Sequence, residues 1–304
     1  MTQISDAALQ HEQFLEESGK RYRARRPIRW MKKKLASLST HTLLIVLSAI
    51  FLIPLFWMIS TALKDRAQTW IFPPQWIPNP VIWENFPRVF EVGPFWGFIW
   101  NTLKIMFWNI LGQVFSTVLV AYGFARLRFP GRNFLFMIMI ATLMIPYQVT
   151  LIPTFLMFRA FGWYGTYLPL TVPAFFGSAF AIFLMRQYMM TIPLELDDAA
   201  RIDGCNRFQV LWKIIMPLCK PPITLVIVFT FLGVWNDFLG PLIFLDDSSK
   251  YTLAIGLSLM QSRAGTDYNL LMAASLMAVL PVLIIYFFAQ RHIIGGIASV
   301  GLKG

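Results

Sequence analysis

Residues 198–204 read Asp-Ala-Ala-Arg-Ile-Asp-Gly, and after nine intervening residues positions 214–217 read Ile-Ile-Met-Pro. Both runs lie in a polar segment, about 188–219, that separates two long apolar stretches of the chain. A polar, charged segment of this kind is not accommodated in the hydrocarbon of a membrane. It is therefore predicted to be the part of the chain that proteins of the cytoplasm contact.

The residue types of this segment predict two short helices joined by a glycine turn. The acids Glu195, Asp197 and Asp198 favour a helix start, because negative charge complements the positive end of the helix dipole. Gly204 suits the left-handed turn that often ends a helix, and Asn206 is a good cap for the next one. The Ala-Ala pair would form a small face that another protein can approach closely, with an acid beside it for charge pairing.

The segment resembles the "EAA" loop of permeases of ATP-binding-cassette (ABC) importers. That loop has the pattern Glu-Ala-Ala, three residues, Gly, nine residues, Ile, one residue, Leu-Pro. Here Asp198 stands for the Glu and Met216 for the Leu, which keeps charge and apolar character, although Asp is one methylene shorter. The positions that match the pattern at the right spacing are Ala199, Ala200, Gly204, Ile214 and Pro217.

The composition is that of a membrane protein. Hydrophobic residues make up 57% of the chain and charged residues only 13%, which is too apolar for an ordinary soluble domain. The net charge of +11 does not indicate nucleic-acid binding, because the basic residues flank apolar runs instead of forming a soluble basic face. Cys205 and Cys219 imply neither a disulfide framework nor a metal site.

Six apolar stretches are long enough to cross a bilayer, which needs about 20 residues. They are placed at about 42–63, 100–124, 134–156, 167–187, 221–245 and 269–290. Of the 26 Lys and Arg, 19 then fall on the side of both termini and six in the opposite loops. By the positive-inside rule, both termini are cytoplasmic. The prediction is an all-α membrane protein with a basic cytoplasmic segment, 1–40, and a six-helix transmembrane permease domain, 41–304.

The long connections 64–94 and 246–269 are predicted to be outer loops. The first is dense in Trp and Pro, which indicates an ordered loop at the level of the lipid headgroups. Within the third span, Pro146 and Pro153 are predicted to bend the helix and to free backbone carbonyls.

Asn109 and Gln113 mark a polar face on the second predicted helix. Their spacing of four residues, continued by Ser116 and Thr117, puts these side chains on one side of the helix. Such groups need partners or water within hydrocarbon, so this face is predicted to point toward other helices or a cavity. Two interpretations stay open, namely hydrogen bonds between helices and the lining of a hydrophilic pathway.

Asp237 is the only acidic residue inside a predicted span, and an intramembrane acid is a candidate functional residue. It follows Asn236 in a Trp-Asn-Asp-Phe run, and Lys104 on the second helix is its most plausible partner. A structural ion pair, an interfacial anchor and a place in the substrate pathway all remain open. Asn236 is a further candidate for the pathway.

The resemblance extends to permeases of the carbohydrate, maltose-type family. The run of residues 235–239 looks like a segment common in sugar permeases, and the ending Gly301-Leu302-Lys303-Gly304 is similar to a tail that reaches into the ATPase dimer. The resemblance implies a type I ABC importer permease fold. It also implies that the matched loop is a coupling helix docked on an ATPase subunit, where Asp198 pairs with a basic residue.

The same resemblance implies a set of partners. These are a second, non-identical permease subunit, two ATP-binding subunits and an extracellular or periplasmic sugar-binding protein, all at the cell membrane with its lipid. ATP and Mg²⁺ would bind the partner ATPase, because this chain has no G-x-x-x-x-G-K-[ST] phosphate loop. The chain itself would hold no cofactor or metal and would be a transport subunit, not an enzyme.

Three other functions compete with this interpretation. A secondary transporter or channel using Asp237 would explain the spans but not the matched loop, and the chain has no clear internal repeat of the kind common in such transporters. A membrane-embedded enzyme would need a cluster of acid-base or metal-binding groups at membrane depth. An ABC permease for a non-sugar solute would share the loop.

Overall fold

The computed structural model describes residues 37–262 and 267–301, and the secondary structure of these residues is helical throughout, without strands. Short 3₁₀ turns and one π-helical turn connect some of the α-helices. The α-helices in chain order are α1 (Ser37–Ala62), α2 (Asn85–Val92), α3 (Phe95–Arg126), α4 (Arg132–Ala141), α5 (Tyr147–Ala160), α6 (Leu168–Thr171), α7 (Ala179–Met189), α8 (Glu195–Ile202), α9 (Arg207–Val210), α10 (Met216–Leu218), α11 (Lys220–Trp235), α12 (Leu239–Phe244), α13 (Leu253–Ser262) and α14 (Tyr268–Gly301).

The chain divides into two compact units, 1–58 and 59–304. The described part of the first unit is most of α1, an apolar helix whose side chains are largely exposed. A helix of this length and hydropathy suits a lipid environment. The second unit holds all the other helices and both of the hydrophobic clusters described below.

Among the described residues, four apolar helical stretches are long enough to cross a membrane. Two further helix pairs pass the same test but are sharply bent, α4–α5 by 100° and the stretch from α9 to α11 by 78°. The described part of the chain thus holds four candidate spans, or up to six if each bent pair crosses once. The unbent stretches are Ser37–Ala62, Phe95–Arg126, Leu168–Met189 and Tyr268–Gln290.

The predicted third span coincides with the first bent pair, whereas the predicted fifth span, 221–245, shares only α11 with the second. Ile145, which precedes Pro146, has an extended backbone with φ −85° and ψ 113°, because a proline disfavours the helical conformation of the residue before it. The bend predicted at Pro146 is therefore present, as a break between two helices, whereas Pro153 lies inside α5. The fifth span also differs from its predicted extent, since α11 ends at Trp235 and α12 forms a separate short helix.

The predicted outer loops contain helices of their own. Helix α2 lies within 64–94, and α13 occupies much of 246–269, where Leu253 and Ile255 are buried. A Cβ added at Gly256 would collide with the ring of Phe98, so the glycine allows α13 to pack closely on α3. Sequence reasoning missed α13 because it is short and its stability depends on this contact.

The long helix α3 contributes to two separate hydrophobic clusters. Its C-terminal half, including Val118 and Ala121, packs with α7 and with buried residues of the polar segment such as Ile215. Its N-terminal half, including Phe95 and Phe98, packs in a second cluster with residues of α11, α13 and α14. Helix α3 is therefore one continuous element that joins the polar segment to the opposite end of the unit.

The two cysteines provide a direct test of the first cluster. Cys219 has no exposed surface, whereas Cys205 is partly exposed. We expect N-ethylmaleimide to modify Cys205 at least about tenfold faster than Cys219, because reaction requires access to the thiolate. Peptide mass spectrometry of the labelled protein, with Cys205→Ser as the control, would measure both rates. Equal rates would contradict the packing around Cys219.

Candidate functional site

Helix α8 ends in the glycine turn that the sequence predicts. Gly204 has φ +84°, and its N–H donates to the carbonyl of Arg201 at 3.0 Å. The N–H of Cys205 donates to the carbonyl of Ala200 at 2.9 Å. Together these bonds form a Schellman motif, which satisfies carbonyls that the helix end would leave unpaired. The first turn of α8 carries the acids Glu195, Asp197 and Asp198.

The second helix of the segment begins with the predicted cap. The Oδ1 of Asn206 accepts from the N–H of Gln209 at 2.9 Å, and the Gln209 side chain accepts from the N–H of Asn206 at 2.8 Å. This capping box starts α9, which continues through a π-helical turn into α10. Ile214 is half-buried against the first cluster, whereas Pro217 is exposed. The rigid local framework thus holds α8 against the rest of the unit.

The two alanines of the matched loop point in different directions. Ala199 is exposed, whereas Ala200 is 5% exposed and belongs to the first cluster. The outer surface therefore combines Asp198 and Ala199 with Ile202, which is 87% exposed. The expected Ala-Ala face does not form, because successive positions of a helix face about 100° apart.

Large apolar side chains are exposed on this outer surface and at the start of α9. Ile202 and Phe208 are largely exposed although they lie in an otherwise polar segment. Sequence reasoning missed both residues, and the signal that could have found them is a large apolar residue flanked by charges. Asp198 lies 3.4 Å from Arg201 in an exposed pair, and such pairs contribute little stability. Its carboxylate can therefore bind a cation of a partner.

A cavity of about 280 Å³, with a mostly apolar lining that includes four polar residues, lies between α3, α7 and α11. Asn109 and Gln113 of α3 contribute to its lining, as do Ser178 and Thr230. A second cavity of about 220 Å³ shares Asn109 with the first and is lined in part by Asp237 and Tyr147. The structure therefore brings together three of the four predicted pathway residues.

The polar face of α3 contributes both to contacts between helices and to the cavity linings, and a role in a substrate pathway stays a prediction. The Nδ2 of Asn109 donates to the carbonyl of Leu170 at 2.7 Å, which ties α3 to α6, while the residue also lines both cavities. Ser116 is a tie only, because its hydroxyl donates to the carbonyl of Ala174 at 3.2 Å and it lines neither cavity. Gln113 donates to Thr117 at 3.3 Å and lines the first cavity.

The predicted ion pair between Asp237 and Lys104 is absent from the described part of the chain. Asp237 instead accepts from the N–H of Gly240 at 3.1 Å, and the Lys104 ammonium lies 5.8 Å from the ring centre of Trp100. The physical reason is the end of α11 at Trp235, which turns Asp237 back toward the next helix. Asn236 is exposed, donates to the carbonyl of Leu232 and lines neither cavity.

The predicted ATPase-contacting tail lies mostly outside the described residues. Helix α14 extends to Gly301, and Lys303 and Gly304 follow it beyond the described range. The basic N-terminal segment also lies outside the described ranges, except for residues 37–40. Roles for the tail and for this segment remain predictions.

Apolar helices of membrane-spanning length, with a cavity between three of the helices, define a multi-pass membrane protein. The sequence pattern described as "Binding-protein-dependent transport system inner membrane component" matches residues 113–294. The chain belongs to this family of inner-membrane permease subunits of ABC transporters, and it is a multi-pass protein of that membrane.

Curated relatives resemble most of the chain. It is 34% identical to "Arabinooligosaccharides transport system permease protein AraQ" of Halalkalibacterium halodurans over 81% of this chain and 86% of the relative. It is 33% identical to "sn-glycerol-3-phosphate transport system permease protein UgpE" of Yersinia enterocolitica over 85% of this chain and 95% of the relative.

A solved structure has the same fold. It is the crystal structure of a bacterial ABC transporter involved in the import of the acidic polysaccharide alginate. The TM-score is 0.77 at 23% identity, over 85% of this chain and 96% of that one. The fold of the chain is therefore that of an ABC importer permease, as predicted.

Proposed function

We propose that this chain is the permease subunit of an ATP-driven importer for uncharged sugars, with six spans and both termini in the cytoplasm. The observation that carries the proposal is α8, which presents Asp198, Ala199 and Ile202 to a partner on a capped, rigid helix. A channel that conducts solute without ATP hydrolysis does not require such a docking helix. An importer that is driven by a separate ATPase subunit requires a surface that the ATPase binds.

The cavity linings support an uncharged sugar as the substrate. In the described part of the chain, neither cavity has a Lys or Arg in its lining. The first offers amide and hydroxyl groups beside the rings of Phe180 and Phe229, and sites for sugars combine aromatic faces with hydrogen-bonding groups. The relative AraQ is named for arabinooligosaccharides, and UgpE for a phosphate ester. An anionic substrate would face the carboxylate of Asp237 without a basic partner.

The proposed mechanism assigns the chemistry and the motion to different subunits. ATP and Mg²⁺ bind two partner ATPase subunits, and their closure moves α8 together with the coupling helix of a second, non-identical permease subunit. The cavities then open toward the outside, where a sugar-binding protein delivers the substrate. Hydrolysis returns the pair to the inward-open state. Within this chain, Asn109 and Gln113 bind the sugar, and α8 transmits the motion.

Gln113→Leu is expected to lower sugar transport by about fivefold to tenfold, because it removes hydrogen bonds worth about 1 kcal/mol from the cavity at nearly constant volume. Basal ATP hydrolysis should be unchanged. Concentration dependence of transport in proteoliposomes measures the effect as a raised KM. Ser116→Ala is the matched control on the same helix face, and its KM should be that of the wild type. A wild-type KM for Gln113→Leu would remove this residue from the pathway.

The experiment that tests the function is purification of the complex from its native membrane in mild detergent. The proteins that co-purify would be identified, and ATP hydrolysis would be assayed with arabinotriose, maltotriose and sn-glycerol-3-phosphate. We expect an ATPase, a second permease and stimulation by a neutral sugar but not by the phosphate ester. Recovery of the chain alone, with ion flux that depends on Asp237, would support a secondary transporter or channel instead. Stimulation by the phosphate ester would overturn the sugar assignment only.

A further inference from the structure

A buried ion pair joins the end of α3 to the docking helix α8. The Nε of Arg126 lies 3.6 Å from the Oδ2 of Asp197, and the two side chains are only 2% and 4% exposed. The Nη2 of Arg126 also donates to the carbonyl of Ile192 at 2.8 Å. One turn earlier, the hydroxyl of Tyr122 donates to the carbonyl of Arg207 at 3.2 Å. The last two turns of α3 are thus held to the polar segment at three points.

This pair is not explained by stability alone. Two charges removed from water are seldom more stable than well-packed apolar side chains of the same volume. Burial raises the pKa of the Asp197 carboxyl above its usual value, and the neighbouring guanidinium of Arg126 offsets part of that rise. An exposed pair in the same helix, Asp198 with Arg201, carries no such cost.

The pair is also loose in this conformation. Its 3.6 Å separation exceeds the usual 2.7–2.9 Å of a charge-assisted hydrogen bond. The Nε of Arg126 and the Oδ1 of Asp197 are both buried without a hydrogen-bond partner. A small shift of α8 along α3 would allow a closer, two-point pairing that satisfies both atoms. The geometry therefore permits two arrangements of different strength.

Helix α3 is the straightest connection from the docking helix to the cavities. It is unbroken over 32 residues, or about 48 Å at 1.5 Å per residue. Gln113 lies 13 positions, or about 20 Å, from Arg126 along this rod. Helix α7 also lines the first cavity, but it is only 11 residues long and residues 190–194 separate it from α8. The stretch from α9 to α11 passes through a π-helical turn and a 78° bend. A rigid helix transmits displacement, whereas a bend can absorb it.

We propose that Arg126 and Asp197 form a latch between α3 and α8, through which movement of the docking helix reaches the cavity face of α3. The proposal rests on the importer function proposed above. Both are positioning residues, since neither touches the substrate path. In this arrangement α3 moves with α8 as one body, and Gln113 moves with it.

The test uses the whole importer, with its ATPase subunits, in nanodiscs. Gln113→Cys on α3 and Thr230→Cys on α11 serve as separate reporters in a background with Cys205→Ala and Cys219→Ala. A charged methanethiosulfonate reagent measures reporter accessibility without nucleotide and after trapping with Mg-ATP and vanadate. The latch variant is Arg126→Gln with Asp197→Asn, which removes both charges and keeps a polar group at each position, with Asn matching the shape of Asp and Gln being shorter than Arg. Arg128→Gln, an exposed arginine two positions away, is the matched control.

We expect trapping to change the reaction rate of the α3 reporter, Gln113→Cys, when the latch is intact and in the control. In the latch variant this change should shrink by at least about fivefold while ATP hydrolysis and co-purification of the ATPase persist. An unaltered response of the α3 reporter would overturn the latch. If the double variant does not assemble, Asp197→Asn alone is judged by the same two criteria. Failure of both reporters to respond to ATP with the latch intact would instead contradict the importer function itself.

Discussion

Replacing Asp198 with Lys is expected to release the ATPase subunits from the importer. The Asp198 side chain is 70% exposed on the outer surface of α8, so the new ammonium would face the partner directly. Losing one partner of an interfacial charge pair costs about 2–5 kcal/mol, and like-charge repulsion adds to this loss. We therefore expect affinity for the ATPase to fall by at least about a hundredfold, with the chain still inserted in the membrane.

The matched control for this prediction is Glu195→Lys. Glu195 lies in the same first turn, so the unfavourable effect of a cation on the helix dipole is the same in both variants. Only the position relative to the partner differs. Co-purification and ATP hydrolysis would be measured side by side. If Asp198→Lys co-purified the ATPase as well as the wild type does, the proposed charge pair would be excluded. If both variants lost the ATPase to the same extent, the loss would be due to the charge at the start of the helix.

The second large effect is expected for Gly204→Val, which should abolish most transport without preventing membrane insertion. Gly204 has φ +84°, and a left-handed conformation costs an ordinary residue about 1–2 kcal/mol, with more for a β-branched one. No neighbouring atom lies within 4 Å of an added Cβ, so the penalty is conformational and not steric crowding. The chain would avoid it by unwinding the Schellman motif, which displaces the end of α8.

Transport and thermal unfolding of the purified complex measure this effect, with transport expected to fall by at least about tenfold. Gly204→Asn should retain most activity, since Asn tolerates the left-handed region. Gly93→Val is a second control, because Gly93 is extended at φ −165° and has open space around it. If Gly204→Val transported sugar as the wild type does, the turn would not position the docking helix.

The local features of α8 could be predicted because they depend on near neighbours in the chain. The acids of the first turn, the Gly204 turn and the Asn206 cap each act over five residues or fewer. The same reasoning failed to predict which side chains are buried, because burial depends on the packing of distant parts of the chain. It placed both alanines on one surface, yet Ala200 belongs to the first hydrophobic cluster and only Ala199 is exposed.

For the candidate pathway residues too, local features could be predicted from the sequence and long-range contacts could not. The spacing of Asn109 and Gln113 predicted a shared face, and both line the first cavity. The partner of Asp237 could not be predicted, because α11 ends at Trp235 and the acid then turns to the N–H of Gly240. The membrane depth of Asp237 cannot be counted along an ideal helix, because the helix ends before this residue.

The sequence alone determined that this chain is an all-helical membrane protein with a polar segment between apolar stretches, because hydropathy, charge asymmetry and helix signals are properties of neighbouring residues. Only the tertiary structure decided how the helices bend, which face of α8 is exposed and which residues share a cavity. It also brought Arg126 and Asp197 together from 71 positions apart in the chain. Contacts at such separations arise from the packing of whole helices, and no local pattern encodes them.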